Sequence, residues 1–151
     1  MKFTKVFIFF TILSFLLFPI SGVASALEKL PSSDKTDQWE IMIDKPKNED
    51  VEPKPDVYNM YSMDVQYIGD EDIKLERIEA YRDDPSSSYD FELFTIADTD
   101  DFEIDKNSKQ PVFNHQNFPL SVQAKELKVI VTWTNKGDSD RKYREEFIFK
   151  Q

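Results

Sequence analysis

The chain is 151 residues long, with 19 basic and 29 acidic residues, one histidine and no cysteine. Its net charge of −10 excludes recognition of nucleic acid, which needs clustered cations to displace phosphate counterions. The same sign opposes anionic lipid surfaces, and without cysteine neither a disulfide framework nor a lipid-modified cysteine is available.

Lys2 and Lys5 precede an apolar run from Val6 to Phe18, Pro19 breaks it, and small residues lead to Ala24-Ser25-Ala26. A basic region, a short apolar region and an A-x-A site, in that order, are what a signal peptidase reads. The 15 residues from Val6 to Ile20 contain Thr11 and Ser14. They fall short of the roughly 20 apolar residues that span a bilayer. Residues 1–26 are therefore read as a cleaved secretory signal, with the mature chain beginning at Leu27 and acting extracellularly. No stable membrane insertion is expected after cleavage. From Leu27 onward, 17 basic residues stand against 29 acidic ones, a net charge of −12. That length suits one domain, and that charge favours a protein or a cationic ligand as partner.

Residues 27–38 are polar, with Pro31, Ser32 and Ser33, and are expected to form a flexible N-terminal tail. Residues 39–151 are expected to form the folded domain. Trp39, Ile41 and Ile43 alternate with Glu40, Met42 and Asp44, a first strand. Pro46, Pro53 and Pro55 mark Lys45–Asp56 as a loop, since proline lacks the amide a ladder needs. Tyr61, Met63, Val65 and Tyr67 share one face of a second strand, and Gly69-Asp70-Glu71-Asp72 supplies a turn. Ile73 and Leu75 lie on one parity and Ile78 and Ala80 on the other. A β-bulge near Glu76-Arg77 accounts for that switch. A short helix over 72–81 competes on propensity, but its neighbours are strands and so short a helix is marginal alone.

Asp83–Ser88 reads as a loop, followed by alternation through Tyr89, Phe91 and Leu93 and on to Phe94 and Ile96. Phe102 and Ile104 mark a short strand, and Phe118, Leu120 and Val122 another. The clearest unit is the last. Leu127, Val129, Val131 and Trp133 alternate with Lys128, Ile130, Thr132 and Thr134. Asn135-Lys136-Gly137-Asp138 turns, and Tyr143, Glu145, Phe147 and Phe149 return. Ile130 makes its strand apolar on both sides, which places it centrally beneath some cover. Trp133 is expected to meet Phe147 and Phe149 across the core.

Seven or eight short strands without an amphipathic helix predict an all-β antiparallel sandwich. In strand count, length and the closing hairpin LKVIVTWTNKGDSDRKYREEFIF, the chain from Trp39 to Lys150 resembles small secreted immunoglobulin-like or fibronectin-III-like modules of Gram-positive bacteria. The antibody pattern of two cysteines around a core tryptophan is absent. The resemblance implies a fold and no single activity.

Catalytic candidates are few. His115, in Asn114-His115-Gln116-Asn117, is expected to be a plain loop residue, because a triad or a zinc site needs partners that nothing in the sequence supplies. The acidic run from Asp98 to Asp105 offers Asp98, Asp100 and Asp101 as calcium ligands, with Asp70, Glu71 and Asp72 nearby on the sandwich end. It is not an EF-hand, since Phe102 and Glu103 stand where a ligand and a glycine are required. Calcium is the one candidate cofactor, and no other is expected. Trp39, Tyr61, Tyr67, Tyr89, Phe91, Trp133 and Phe147 are expected in the core rather than on a ligand platform. Arg141, Lys142 and Arg144 form the one basic knot and should offset nearby acids. A non-enzymatic binding or accessory module is the expected function. Two alternatives stand beside it: a hydrolase inhibitor inserting Lys45–Asp56 or Asp83–Ser88, and a small carbohydrate-active enzyme using a carboxylate pair.

Overall fold

The computed structural model describes residues 27, 29–48, 51–97, 103–104 and 112–151. Among these, no residue is helical and nine strands form: β1 Ser32–Lys35, β2 Trp39–Asp44, β3 Tyr58–Tyr67, β4 Ile73–Arg82, β5 Phe91–Ala97, β6 Glu103–Ile104, β7 Phe113–Ser121, β8 Glu126–Asn135 and β9 Asp138–Lys150. One sheet runs β1-β2-β3-β7 and the other β5-β4-β8-β9, with β6 also on β4. Every strand pairing is antiparallel.

Sequence alternation explains the core. The inward positions Trp39, Ile41 and Ile43 of β2 are fully buried, as are Met63 and Val65 of β3 and Leu127, Val129 and Val131 of β8. β8 lies between β4 and β9, the central place its two-sided apolar pattern predicts. The predicted bulge is present: the β4–β8 register shifts between Leu75 and Arg77. The extra residue there lets Ile73, Leu75, Ile78 and Ala80 all point inward and be buried despite their change of parity.

Three expectations are corrected. Residues 27–38 are not simply a tail: β1 pairs with β2, and Leu27 is buried. Ser, Asp and Lys suit such a short edge strand, because charge on an edge deters pairing with other chains. His115 lies in β7, opposite Met63, not in a loop. Third, Trp133 does not meet Phe147 and Phe149. The register places Tyr143 beside Trp133, while Phe147 and Phe149 pair with Val129 and Leu127. A strand advances about 3.3 Å per residue, so those phenylalanines lie more than ~10 Å further along. Across the sandwich Trp133 meets Trp39 instead, edge to face with centroids 5.6 Å apart.

The two sheets meet at both open sides. Thr36, just after β1, donates its hydroxyl to Glu145 Oε2 of β9 at 2.5 Å. On the opposite side, Phe94 of β5 packs on Phe113, His115 and Phe118 of β7, with centroids 4.6–6.1 Å apart.

Candidate functional site

The outer face of the five-stranded sheet carries an ordered array. Register aligns Arg77, Thr132 and Arg144 in one row, Glu79, Ile130 and Glu146 in the next, and Tyr81, Lys128 and Ile148 in a third. A basic row thus abuts an acidic one, with Arg77–Glu79 and Arg144–Glu146 each at 3.6 Å. Lys142 reaches Glu76 at 3.2 Å, so the predicted basic knot does offset acids. Ile130 is only 5 % exposed although it faces outward. Long neighbouring side chains give it the cover that its position demands.

Above the third row stands the segment from Asp83 to Asp90, and both of its ends are fixed. Asp83 Oδ1 accepts the amides of Lys125 at 2.6 Å and Glu126 at 3.1 Å. Asp84 Oδ1 accepts the amide and hydroxyl of Ser86 at 2.9 and 2.7 Å, an Asx-type turn. Ser87 Oγ accepts the Tyr89 amide at 3.0 Å, and Lys128 binds Asp90 at 2.6 Å. This pinned loop displays Tyr89, which is 81 % exposed. Phe91 follows at 53 % exposure, with the Arg82 guanidinium 4.6 Å over its ring. Tyr89 and Phe91 are therefore surface residues, against expectation. The aspartate-serine turn lifts the chain off the sheet, and β5 begins only at Phe91.

Beneath Tyr89 lies a groove of about 490 Å³ lined by Glu79, Tyr81, Asp90, Lys128, Ile130 and Arg144, among others. Glu79 and Arg144 continue it into a second groove of about 310 Å³. The resolved shifts fix the ionisation here. Hydrogen bonding to Glu79, then burial, raises the Tyr81 phenol and keeps it neutral. Hydrogen bonding to Asp90 raises Lys128 and keeps it charged. Hydrogen bonds from Ser86 lower Asp84 and keep it ionised. All three shifts lead away from neutrality, whereas general acid–base work needs a group poised near the working pH.

A second cleft, about 360 Å³, opens at the sandwich end beside Gln38, Glu71, Trp133, Asn135, Tyr143 and Glu145. Its groups are already engaged. Trp133 stacks on Tyr143, Arg141 lies 4.9 Å over Tyr143, Glu71 accepts the Asn135 amide and Glu145 accepts Thr36. No ring face is left free for a ligand between the stacked pair.

The other predicted sites resolve as follows. Asp98, Asp100 and Asp101 lie outside the described residues. Asp70, Glu71 and Asp72 sit in the β3–β4 turn, and among the described residues no three acidic or histidine groups gather to hold a metal ion. Within Lys45–Asp56, residues 45–48 run alongside β3 and β7: Lys47 pairs with Asp64 at 2.9 Å and its amide donates to the Gln116 carbonyl at 3.1 Å. Glu49 and Asp50 of that loop lie outside the described residues. Trp39, Tyr61, Tyr67, Trp133 and Phe147 are core, as expected.

His115 carries a pH signature. Burial lowers its pKa below the ordinary 6.5, and its Nδ1 is buried without a partner. The unfolded chain then takes up a proton that the folded chain refuses. Stability contributed by neutral His115 is complete above pH 6.5 and is lost as pH falls toward its folded pKa. The urea midpoint should therefore fall from pH 7.5 to 5.5 in the parent and fall less in His115→Leu. Equal falls in both proteins would count against it.

That Glu79, Lys128, Ile130 and Arg144 line one groove escaped the sequence reading, which has Arg144 only in the basic knot and Ile130 only as the outward apolar residue of its strand. The one available signal was Ile130, whose outward placement asks what covers it.

The family model described as YozF-like secreted protein matches residues 23–151. The chain is also 32 % identical over 156 residues to the Uncharacterized protein YozF of Bacillus subtilis (strain 168), across 95 % of this chain and 93 % of that protein. No solved structure matches it significantly. Matched over nearly the whole of its folded length, the chain belongs to the YozF-like secreted protein family and is a secreted, all-β protein.

Proposed function

We propose that the protein is an extracellular, non-enzymatic binding module that holds a protein partner through Tyr89 and the groove beneath it. The observation that carries this is an almost fully exposed tyrosine on a loop pinned at both ends. Tyrosine offers a large contact with little side-chain freedom to lose, and a loop already fixed before binding costs less to order. The strand order β2-β3-β7 over β5-β4-β8-β9 supports an immunoglobulin-like or fibronectin-III-like sandwich, in the arrangement A-B-E over C′-C-F-G. Such modules commonly recognise partners through loops at a sandwich end.

The pinned segment includes Asp83–Ser88, so inhibition of a hydrolase by loop insertion is the sharper form of the same proposal. A carbohydrate-active enzyme is disfavoured by the pairing of the groove's acids: Glu76 with Lys142, Glu79 with Arg77, Asp90 with Lys128 and Glu146 with Arg144. A nucleophile or general acid needs a carboxylate freer than these.

Tyr89→Ala tests the proposal. Its side chain is too exposed to affect folding, so Tm should match the parent within a degree or two. Aromatic anchors commonly contribute 2 kcal/mol or more, so recovery of a partner crosslinked at the cell surface should drop at least ~10-fold. Undiminished crosslinking by Tyr89→Ala, with Phe91→Ala equally silent, would reject the loop as the contact.

A further inference from the structure

Leu27 is the residue that a signal peptidase cutting after Ala26 would expose, and the fold has a place for it. Its side chain is 7 % exposed and belongs to the main hydrophobic core, with Leu30 packed against the same cluster. Its backbone nitrogen donates to the Tyr61 hydroxyl at 3.2 Å. That hydroxyl lies 3.4 Å from Gln151 Oε1, to which it donates in turn. Gln151 is itself fixed: its side-chain amide donates to the carbonyls of Ser121 at 2.9 Å and Ala124 at 2.8 Å, and its backbone amide to Lys125 at 2.9 Å. One buried phenol thus ties Leu27 to Gln151, in a site built from β3 and the β7–β8 turn.

We propose that this site is a receptor for the processed N-terminus: cleavage after Ala26 yields a leucine whose side chain and α-amino nitrogen are both taken up by the fold at Tyr61. Cleavage turns an amide donor into an ammonium, and a charged donor makes the shorter and stronger bond to a hydroxyl. A cut one residue later would delete the buried side chain and leave the Tyr61 hydroxyl without its donor. The cleavage register and the core are therefore specified by the same residue. This also explains why residues whose composition reads as tail are packed: Leu27 and β1 bracket Leu30, so the segment is held at both ends.

The test uses protein recovered from culture medium after expression of the full chain with its own signal. Mass spectrometry should give Leu27 as the first residue. Aminopeptidase should release Leu27 at least ~10-fold more slowly than it does from a free peptide of residues 27–36, since removal requires the end to undock. Leu27→Ala, checked for the same cleavage point, should lower Tm by more than about 4 °C and lose that protection. Tyr61→Phe keeps the ring but removes the acceptor, so it should remain folded and still lose protection. A medium form beginning elsewhere, or a Leu27 trimmed as fast as in the peptide, overturns the proposal. So does a Tyr61→Phe protein as well protected as the parent.

Discussion

Replacing Trp133 by alanine should leave little folded protein at 37 °C. Trp133 is 4 % exposed and contributes to both layers. It stacks on Tyr143 within its own sheet at 5.7 Å and meets Trp39 of the opposite sheet at 5.6 Å. Trp39 in turn packs on Tyr67 at 5.1 Å, so the cavity would open at the centre of a four-ring cluster. Truncating a buried aromatic costs about 3–5 kcal/mol, against about 5–15 kcal/mol for a whole domain. With no cysteine in the chain, no cross-link restrains the unfolded state. Thr132→Ala, one residue away on the outer face, should cost under about 1 kcal/mol. Urea denaturation followed by far-ultraviolet circular dichroism measures both. Parent-like melting of Trp133→Ala would mean that the ring cluster does not support the fold.

Gly69→Val should be nearly as damaging, for the opposite reason. Gly69 is buried where the chain leaves β3, and an added Cβ would overlap Gln38 Oε1 and the end of the Tyr67 ring. Gln38 is flexible and can withdraw. Tyr67 cannot, because it is held between Trp39 and the Glu71 carbonyl, which lies 2.8 Å from its hydroxyl. Overpacking costs about 1–3 kcal/mol, and a buried hydroxyl left unpaired costs about 1–3 kcal/mol more. Burial raises the Tyr67 pKa, and displacing the ring should return it toward 10.0. Ultraviolet titration of the phenols would show that shift if the protein still folds. A Gly69→Val protein with parental stability would place the ring elsewhere.

Much of the sandwich was legible because burial writes a period of two into each strand. Trp39, Ile41 and Ile43 declare β2 without help, and the parity change between Leu75 and Ile78 places the bulge near Glu76-Arg77, where the register shifts. Packing across the layers was less legible. Trp133 shares a hairpin with the aromatic Phe147 and Phe149, but the two-residue turn alone would set Asp140 opposite it, and the register shift between Thr134 and Asn135 brings Tyr143 there instead. Edge strands were least legible: β1 is polar because an edge must be, and polarity is also what a tail shows. The candidate site was hidden for a related reason. Tyr89 sits in phase with Phe91 and Leu93, and only the hydrogen bonds of Asp83, Asp84 and Ser87 take it off the sheet.

The uneven edge of β4 has a consequence for how the molecule can vary. Ala97 of β5 pairs with Arg77 and Glu103 of β6 with Lys74, so the two strands meet this edge of β4 on either side of Leu75 and Glu76. The interval between those two pairings coincides with the bulge between Leu75 and Arg77, where the ladder to β8 is also interrupted. Pairing on each side of the interruption is set separately, so chain added between Ala97 and Glu103 need not disturb either register. Doubling the length of a loop costs only about 0.6 kcal/mol of closure entropy. Homologues should differ in length here before they differ elsewhere, and a peptide epitope grafted at this point should be carried by a protein that otherwise melts unchanged.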